Sequence, residues 1–481
     1  MRALALVLLG LIASGCAPLL DAFEEPTAPE TEAGRCLALF AETDTRIAEA
    51  GVVDAAYARI EGFPHLRVNR FLASFRTRPL DDTAFGAWTK RLRALDREAR
   101  GFELANLPDA YAALSPRVED CGNVLLARDL RDAARREALL AAARVEDHYS
   151  DVNRVLGLYP LTALPVGLAY ANWRKNHLGL FRESRANAAP ITRLVPDASP
   201  PLAPEAVATL LRAASANPLG IPAPGPEATQ RLLESFAPVF EIETAGPADR
   251  IGAPHWEGRG TIAVETTTPL AYGQLSHVWF RGEARLQLSY VVWFPARPKS
   301  AWLDPLAGHL DGVVWRVTLG GDGRPLVYDT IHACGCYHLF FPVAPLAARK
   351  AGLLADFEEP PLIPMPAPPL GKGERLALHL RAGSHYLTGL RAAGTEEPAG
   401  APYALYAYDA LRSLPLPAGG RQSLFGPDGR IEGTERLERF FLWPMGVPSA
   451  GAMRQWGTHA TAFIGRRHFD DPDLLEKIFG K

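Results

Sequence analysis

The sequence predicts an α+β fold, an N-terminal helical bundle followed by a β-rich, antiparallel, sandwich-like domain. Three observations predict it. Before residue 180 apolar residues recur at spacings of three and four, after residue 230 they alternate, and a Pro/Ala-rich stretch separates the two patterns. Of the 481 residues 48% are hydrophobic, which suits a folded body. Lys+Arg 51 nearly balance Asp+Glu 54 and no basic block occurs, so the chain lacks the electrostatic footprint of a nucleic-acid binder.

The helical pattern starts at Cys36, and the helical domain is set at residues 35–189. Phe85, Trp88, Leu92, Leu95, Ala99 and Phe102 fall on one helix face, with Asp82 placed to cap its start. Leu126, Leu130, Ala134, Ala138, Ala141, Val145, Tyr149 and Val152 mark a second, longer helix, on which Asp132 precedes Arg136 by four as a surface pair. The stretch from Val155 to Trp173 is the most apolar of the body, but Pro160 and Pro165 interrupt it. It reads as a buried or interfacial connection rather than a membrane span. Residues 190–230, with Pro200-Pro201 and three prolines between 222 and 226, read as a linker with one short helical stretch over 204–216. The β-rich domain occupies 231–481. Its strand candidates are 260–266, 275–281, 284–294, 313–319, 326–338, 375–380, 385–390, 403–408 and 439–443. A Pro-rich excursion over 342–372 is too long for a hairpin and suits a lid, an interaction loop or a crossover.

The N-terminus carries a different signal. Arg2 precedes an apolar run, Ala3 to Ala13, that is too short to span a bilayer and ends at Ser14-Gly15-Cys16. Leu11-Ile12-Ala13-Ser14-Gly15-Cys16 resembles the lipobox of bacterial prolipoproteins, with Ala13 where Leu is commoner. The resemblance covers residues 1–16. It implies a diacylglycerol thioether on Cys16, cleavage just before it, and acylation (palmitate) of the new amine. Ala17 rather than Asp beside that Cys implies a lipid-anchored place in the cell envelope, at the outer membrane facing the periplasm. Residues 17–34, rich in Pro and Glu, then form a flexible tether, and the membrane is a partner through the lipid anchor. No known family is suggested by residues 17–481.

With Cys16 lipidated, Cys36, Cys121, Cys334 and Cys336 remain, and an oxidising compartment invites their pairing. Four thiols allow three connectivities. Their distribution favours Cys36–Cys121, a staple within the helical domain.

One constellation carries chemistry: His332, Cys334, Cys336 and His338, four metal-ligand types within seven residues. Asp322-Gly323 signals a hairpin turn that sets Leu319 opposite Leu326, Val317 opposite Tyr328, Trp315 opposite Thr330 and Val313 opposite His332. The other face then pairs Arg316 with Asp329. Continued strand parity turns all four candidates to the core face. They suit zinc or copper if Gly335 provides a bulge, with help from His277, His309 or His385. A Cys334–Cys336 disulfide, or buried inert thiols beside backbone-bonded histidines, fits the same residues. A nucleophilic cysteine activated by His332 or His338 is a further arrangement. Asp304, His309 and Asp311 read as a polar turn, and His379 and His385 as residues flanking a turn at Gly383. There is no Gly-rich phosphate loop, no His-Glu-x-x-His and no Gly-x-Ser-x-Gly. Two functions follow as expectations: a membrane-tethered lipoprotein whose β-rich domain binds a transition metal, or a non-enzymatic envelope component whose β-rich domain meets an envelope protein partner. Neither decides whether the chain is an enzyme.

Overall fold

A computed structural model describes residues 31–108, 111, 113–182, 189–258, 260–349, 359–394, 396–397 and 400–480. The expected lipidation site, Cys16, lies outside the described residues.

The first element is α1 (Glu32–Glu49), whose first turn is closed by Thr31: its hydroxyl accepts from the Gly34 N–H at 3.0 Å. A small hairpin, β1 (Ala58–Ile60) and β2 (Phe63–Val68), leads through α2 (Arg70–Ala73) to α3 (Asp82–Ala105). The cap of α3 is Asp81, not the expected Asp82; Asp81 accepts from the Ala84 N–H at 2.7 Å. Asp82 instead pairs with Arg136 at 2.5 Å.

The expected long second helix is broken into α4 (Leu114–Arg131), α5 (Ala133–Ala142) and α6 (Asp151–Leu156). Asp132 causes the first break, since its carboxylate accepts the backbone N–H groups of Ala134 and Arg135 and so caps α5 instead of pairing with Arg136. The Val155–Trp173 stretch also differs from expectation. It lies largely in α7 (Tyr159–Leu180), with Pro160 in the first turn, where no N–H is needed, and Pro165 tolerated inside. No helix among the described residues is long and apolar enough to cross a membrane.

Two devices hold this layer together. Cys36 and Cys121 are bonded, joining α1 to α4. Arg67 of β2 is fully buried and donates to Asp96 at 3.3 Å and Glu103 at 2.6 Å, both on α3. Buried charges survive only when paired in this way.

The chain continues through β3 (Ile191–Pro196), α8 (Pro204–Ala214), α9 (Pro226–Phe236), β4 (Val239–Glu243), β5 (Ala253–Gly258) and β6 (Thr261–Glu265). Then come β7 (Leu270–Phe280), β8 (Glu283–Arg297), β9 (Gly308–Leu319), β10 (Pro325–His332), β11 (Leu339–Pro342), β12 (Arg375–Leu380), β13 (Leu387–Ala393) and β14 (Ala401–Ala407), and the short α10 (Arg439–Leu442) and α11 (Leu474–Phe479). The stretch read as a linker thus supplies β3, an interior strand of the main sheet, and α8, which packs on its core. Its prolines bound these elements rather than dissolve them. The strand expected over 439–443 is α10 and a following 3₁₀ turn.

Ten strands join in one sheet in the order β11-β10-β9-β8-β7-β14-β3-β4-β12-β13. It is not purely antiparallel: β14 runs parallel to β3 and β7, and β4 parallel to β12. The sheet curls, because Leu339 and Phe341 of one edge strand share a core with Leu387 and Leu390 of the other. The long β8 is covered on both faces. Leu286, Leu288, Tyr290, Val292 and Phe294 enter the concave core, while Val291 and Trp293 enter a second core behind the sheet.

The register between β9 and β10 follows the expected pairing from Val327–Thr318 to His332–Val313. Only at the turn does it slip, where Pro325 rather than Leu326 faces Leu319.

Candidate functional site

The four candidate ligands do not share one face. β10 stops at His332, and the chain reverses there: the Gly335 N–H donates to His332 O at 2.8 Å and the His332 N–H to Cys336 O at 2.9 Å. Gly335 has φ +93°, and a Cβ on it would stand 2.5 Å from Ala460 O, so only glycine closes this turn. Parity is lost across it. His332 keeps the face of Val313, whereas His338 lies on the opposite face, bonded through Nε2 to Asp329 Oδ2 at 2.9 Å. Asp329 is also held by Arg316 through two bonds, of 3.0 and 2.5 Å. Burial lowers His338 to about 4, against the pull of Asp329, and the group is a satisfied part of the back core.

Cys334 is buried in that second core and Cys336 is half-buried beside it; both are free thiols. A hydrogen bond between the two thiols, then burial, pushes the Cys336 pKa well above its ordinary value, so it carries no thiolate at neutral pH. His277 is bonded to Pro222 O at 2.6 Å and His309 is exposed. Among the described residues, no three His, Cys, Asp or Glu side chains converge as a metal cage.

His332 belongs instead to a different array. Asp311 on β9 precedes Val313 and Trp315 by two and four, so the parity that aims those residues into the concave core aims Asp311 there too. It is 1% exposed rather than a solvated turn residue. His385 reaches it from the turn between β12 and β13 across the curl of the sheet, with its ring stacked on Phe294 at 3.8 Å and 5°. Its Nδ1 donates to Asp311 Oδ2 at 2.7 Å. Far from flanking a surface turn, His385 is fully buried. His332 Nδ1 stands 3.5 Å from Asp311 Oδ1, and the Gly312 N–H also donates to that oxygen at 3.0 Å. Asp249, held by the N–H groups of Ala245, Gly246 and Gly383, lies 3.4 Å from His385 Nε2.

The two imidazoles shift in opposite directions. Burial opposes a proton on His385, but Asp249 and Asp311 outweigh it and raise the pKa above 6.5. His332 is lowered by burial, against Asp311, and is neutral at pH 7. Burial would lift Asp311, yet His332 and His385 together hold its carboxyl well below the usual range. With an Nδ1–H turned to Asp311, the buried Nε2 of His332 has no hydrogen-bond partner.

Aromatic side chains wall the array. Tyr337 and Tyr386 meet at 4.6 Å, and both pack on the His332 ring. Trp173 and His177 of α7 cover them from above, Trp173 against Tyr337 at 5.1 Å and His177 against Tyr386 at 5.0 Å. Arg297, at the end of β8, donates to Tyr386 Oη at 3.2 Å and lies over that ring at 4.9 Å. Among the described residues no carboxylate stands within ion-pair distance of it. Glu438, just before α10, has its carboxyl raised by burial to about 7, against the opposing charges of Arg297 and Arg436.

Backbone strain gathers here as well. Six described non-glycine residues have left-handed φ, and Leu310, Tyr337 and His385 at 52°, 62° and 53° are three of them. Each such residue costs about 1–3 kcal/mol and persists where surroundings over-determine it.

No protein-family model, curated protein or solved structure matches the chain.

Proposed function

We propose that the chain is an exported lipoprotein anchored through an acylated Cys16, and that His332, Asp311, His385 and Arg297 form an acid–base centre for a substrate bearing a phosphate or carboxylate. The observation that carries the second part is the partnerless Nε2 of a neutral His332, oriented by a carboxylate whose other oxygen is bonded to His385. In this reading His332 takes a proton from a hydroxyl or a water at Nε2, Asp311 holds the ring and its tautomer, and Arg297 supplies the cation for the anionic group. Arg297 has the fixed fork that bidentate recognition of such groups uses.

The centre is tested on the intact protein by ¹⁵N imidazole shifts. His332 should be neutral at pH 7 with its proton on Nδ1; a proton on Nε2, or a charged ring, refutes the assignment. Hydrolysis of bis(p-nitrophenyl) phosphate or p-nitrophenyl hemisuccinate should fall at least ~100-fold in His332→Gln with the melting temperature kept. Mass spectrometry of the N-terminal peptide tests the anchor, and a bare Cys16 thiol overturns it.

A second reading keeps a metal. The hydrogen-bonded thiols of Cys334 and Cys336 offer two adjacent soft donors, a pairing suited to copper(I) or, with outside ligands, zinc. Elemental analysis of untagged protein should then find metal that is lost in Cys336→Ser.

A further inference from the structure

The walls of the acid–base array carry a second kind of residue. α7 places Trp173 and His177 against the array, and the same helix exposes Leu161, Leu164 and Leu168 along one side, Leu168 at 75%. Phe440 and Phe441 of α10, the latter 67% exposed, lie two and three residues beyond Glu438. The loop from Arg297 to β9 exposes Trp302 at 93%. The loop and α10 touch, since the Glu438 N–H donates to Pro305 O at 3.2 Å; α6, which leads into α7, reaches Met445 O, just past α10, through Arg154 at 2.9 Å. Three separate segments thus each bear one part of the site and one part of an apolar rim. Large exposed apolar side chains gathered on neighbouring segments are what interaction sites use.

We infer that this rim seats the protein on a lipid bilayer, and that the substrate is an amphiphile whose anionic headgroup reaches Arg297 from that bilayer. The inference rests on the acid–base reading for its substrate and not for its surface. Several features name the bilayer as the occupant. From Val155 to Trp173 no residue is charged, and Arg174 and Lys175 follow it, cations that an anionic surface attracts; Arg439 beside Phe440 is set among Glu435 and Glu438. Trp302, Phe440 and Phe441 are the side chains that interfaces favour. The chain from Cys16 to Thr31 spans at most about 50 Å when extended. A body of this length has a radius of gyration of about 22 Å, so a lipid on Cys16 leaves the rim within reach of the same membrane.

The test is flotation of the chain 17–481, which has no acyl group and retains every described element, with vesicles of phosphatidylethanolamine and phosphatidylglycerol in a 3:1 ratio. Binding is expected. Leu164→Ser and Phe441→Ser should each lower the partition coefficient about tenfold or more, the worth of one Leu-sized side chain, without moving the melting temperature. Arg297→Gln should abolish the change in the His332 ¹⁵N imidazole shifts that short-chain phosphatidylglycerol causes in wild type. No flotation, or flotation indifferent to both serine variants, overturns the surface. A dimer in solution dispersed by the same variants also overturns it, because a second copy then covers the rim. Flotation with the His332 shifts unmoved by that lipid removes the substrate assignment and leaves the membrane seat standing.

Discussion

Replacing Asp311 by Asn probes the centre of the array with almost no change of shape. The carboxylate accepts from His385 Nδ1 at 2.7 Å and from the Gly312 N–H at 3.0 Å, and it is 1% exposed. An amide can keep one of these bonds but loses the charge. A hydrogen bond to a buried charged group contributes about 1.5–3 kcal/mol. Stranding one member of a buried pair costs about 3–5 kcal/mol, and Asp249 remains at 3.4 Å to soften this. A loss near 3 kcal/mol is expected in urea unfolding at pH 6. Its pH dependence has a definite sign. His385 is raised above 6.5, so its contribution is full below 6.5 and fades as the pH rises through the raised value. Asp311 is depressed below 3.8, so its contribution is full above 3.8 and fades on acidification. The difference between wild type and variant is therefore greatest between about pH 4 and 6.5 and narrows on either side. In the variant, His385 should titrate lower than in wild type by NMR. A variant within 0.5 kcal/mol of wild type at pH 6 (about the noise of a surface substitution), or a His385 titration that does not move, would refute this account of the array.

Three further outcomes are expected. Cys36→Ser, which opens a loop of sequence separation 85, should cost about 4–5 kcal/mol in non-reducing unfolding, and wild type in reductant should match it. Gly335→Ala forces a Cβ to 2.5 Å from Ala460 O in a left-handed turn, so the melting temperature should fall by several degrees, with loss of the His332–Asp311 contact. Glu438, raised to about 7 from 4.5, favours folding of its neutral form below pH 4.5, an advantage lost as the pH rises through 7. Glu438→Gln should therefore be indistinguishable from wild type at pH 4 and more stable at pH 8, by at most about 3 kcal/mol.

Much of the β9–β10 hairpin was legible because side chains alternate with period two and Arg316 opposite Asp329 admits one register. The error came from extending that parity through Gly335, where a left-handed turn sends His332 and His338 to opposite faces. The same parity reaches Asp311, although the Asp and Gly of that stretch equally suit a polar turn. His385 was not, since 74 positions separate it from Asp311 and only the curl of the sheet brings them together. In the helical half, apolar spacing located α3 but could not distinguish one long helix from three, because Asp132 decides the break through its bonds to two backbone N–H groups. The helix at α7 was obscured by prolines that α-helices tolerate in their first turn or at the expense of one hydrogen bond.

Asp54 and Arg412 stand 358 positions apart and are joined by two bonds, of 2.8 and 3.0 Å, with Arg412 1% exposed. A polypeptide delivered from its N-terminus therefore brings Asp54 and Glu98 out long before the guanidinium that neutralises them. Until Arg412 arrives, the early helices are unfinished at a charged face. A truncated product ending short of Arg412 should be degraded rather than accumulate as a stable fragment, and escort of the nascent chain matters most at that late stage.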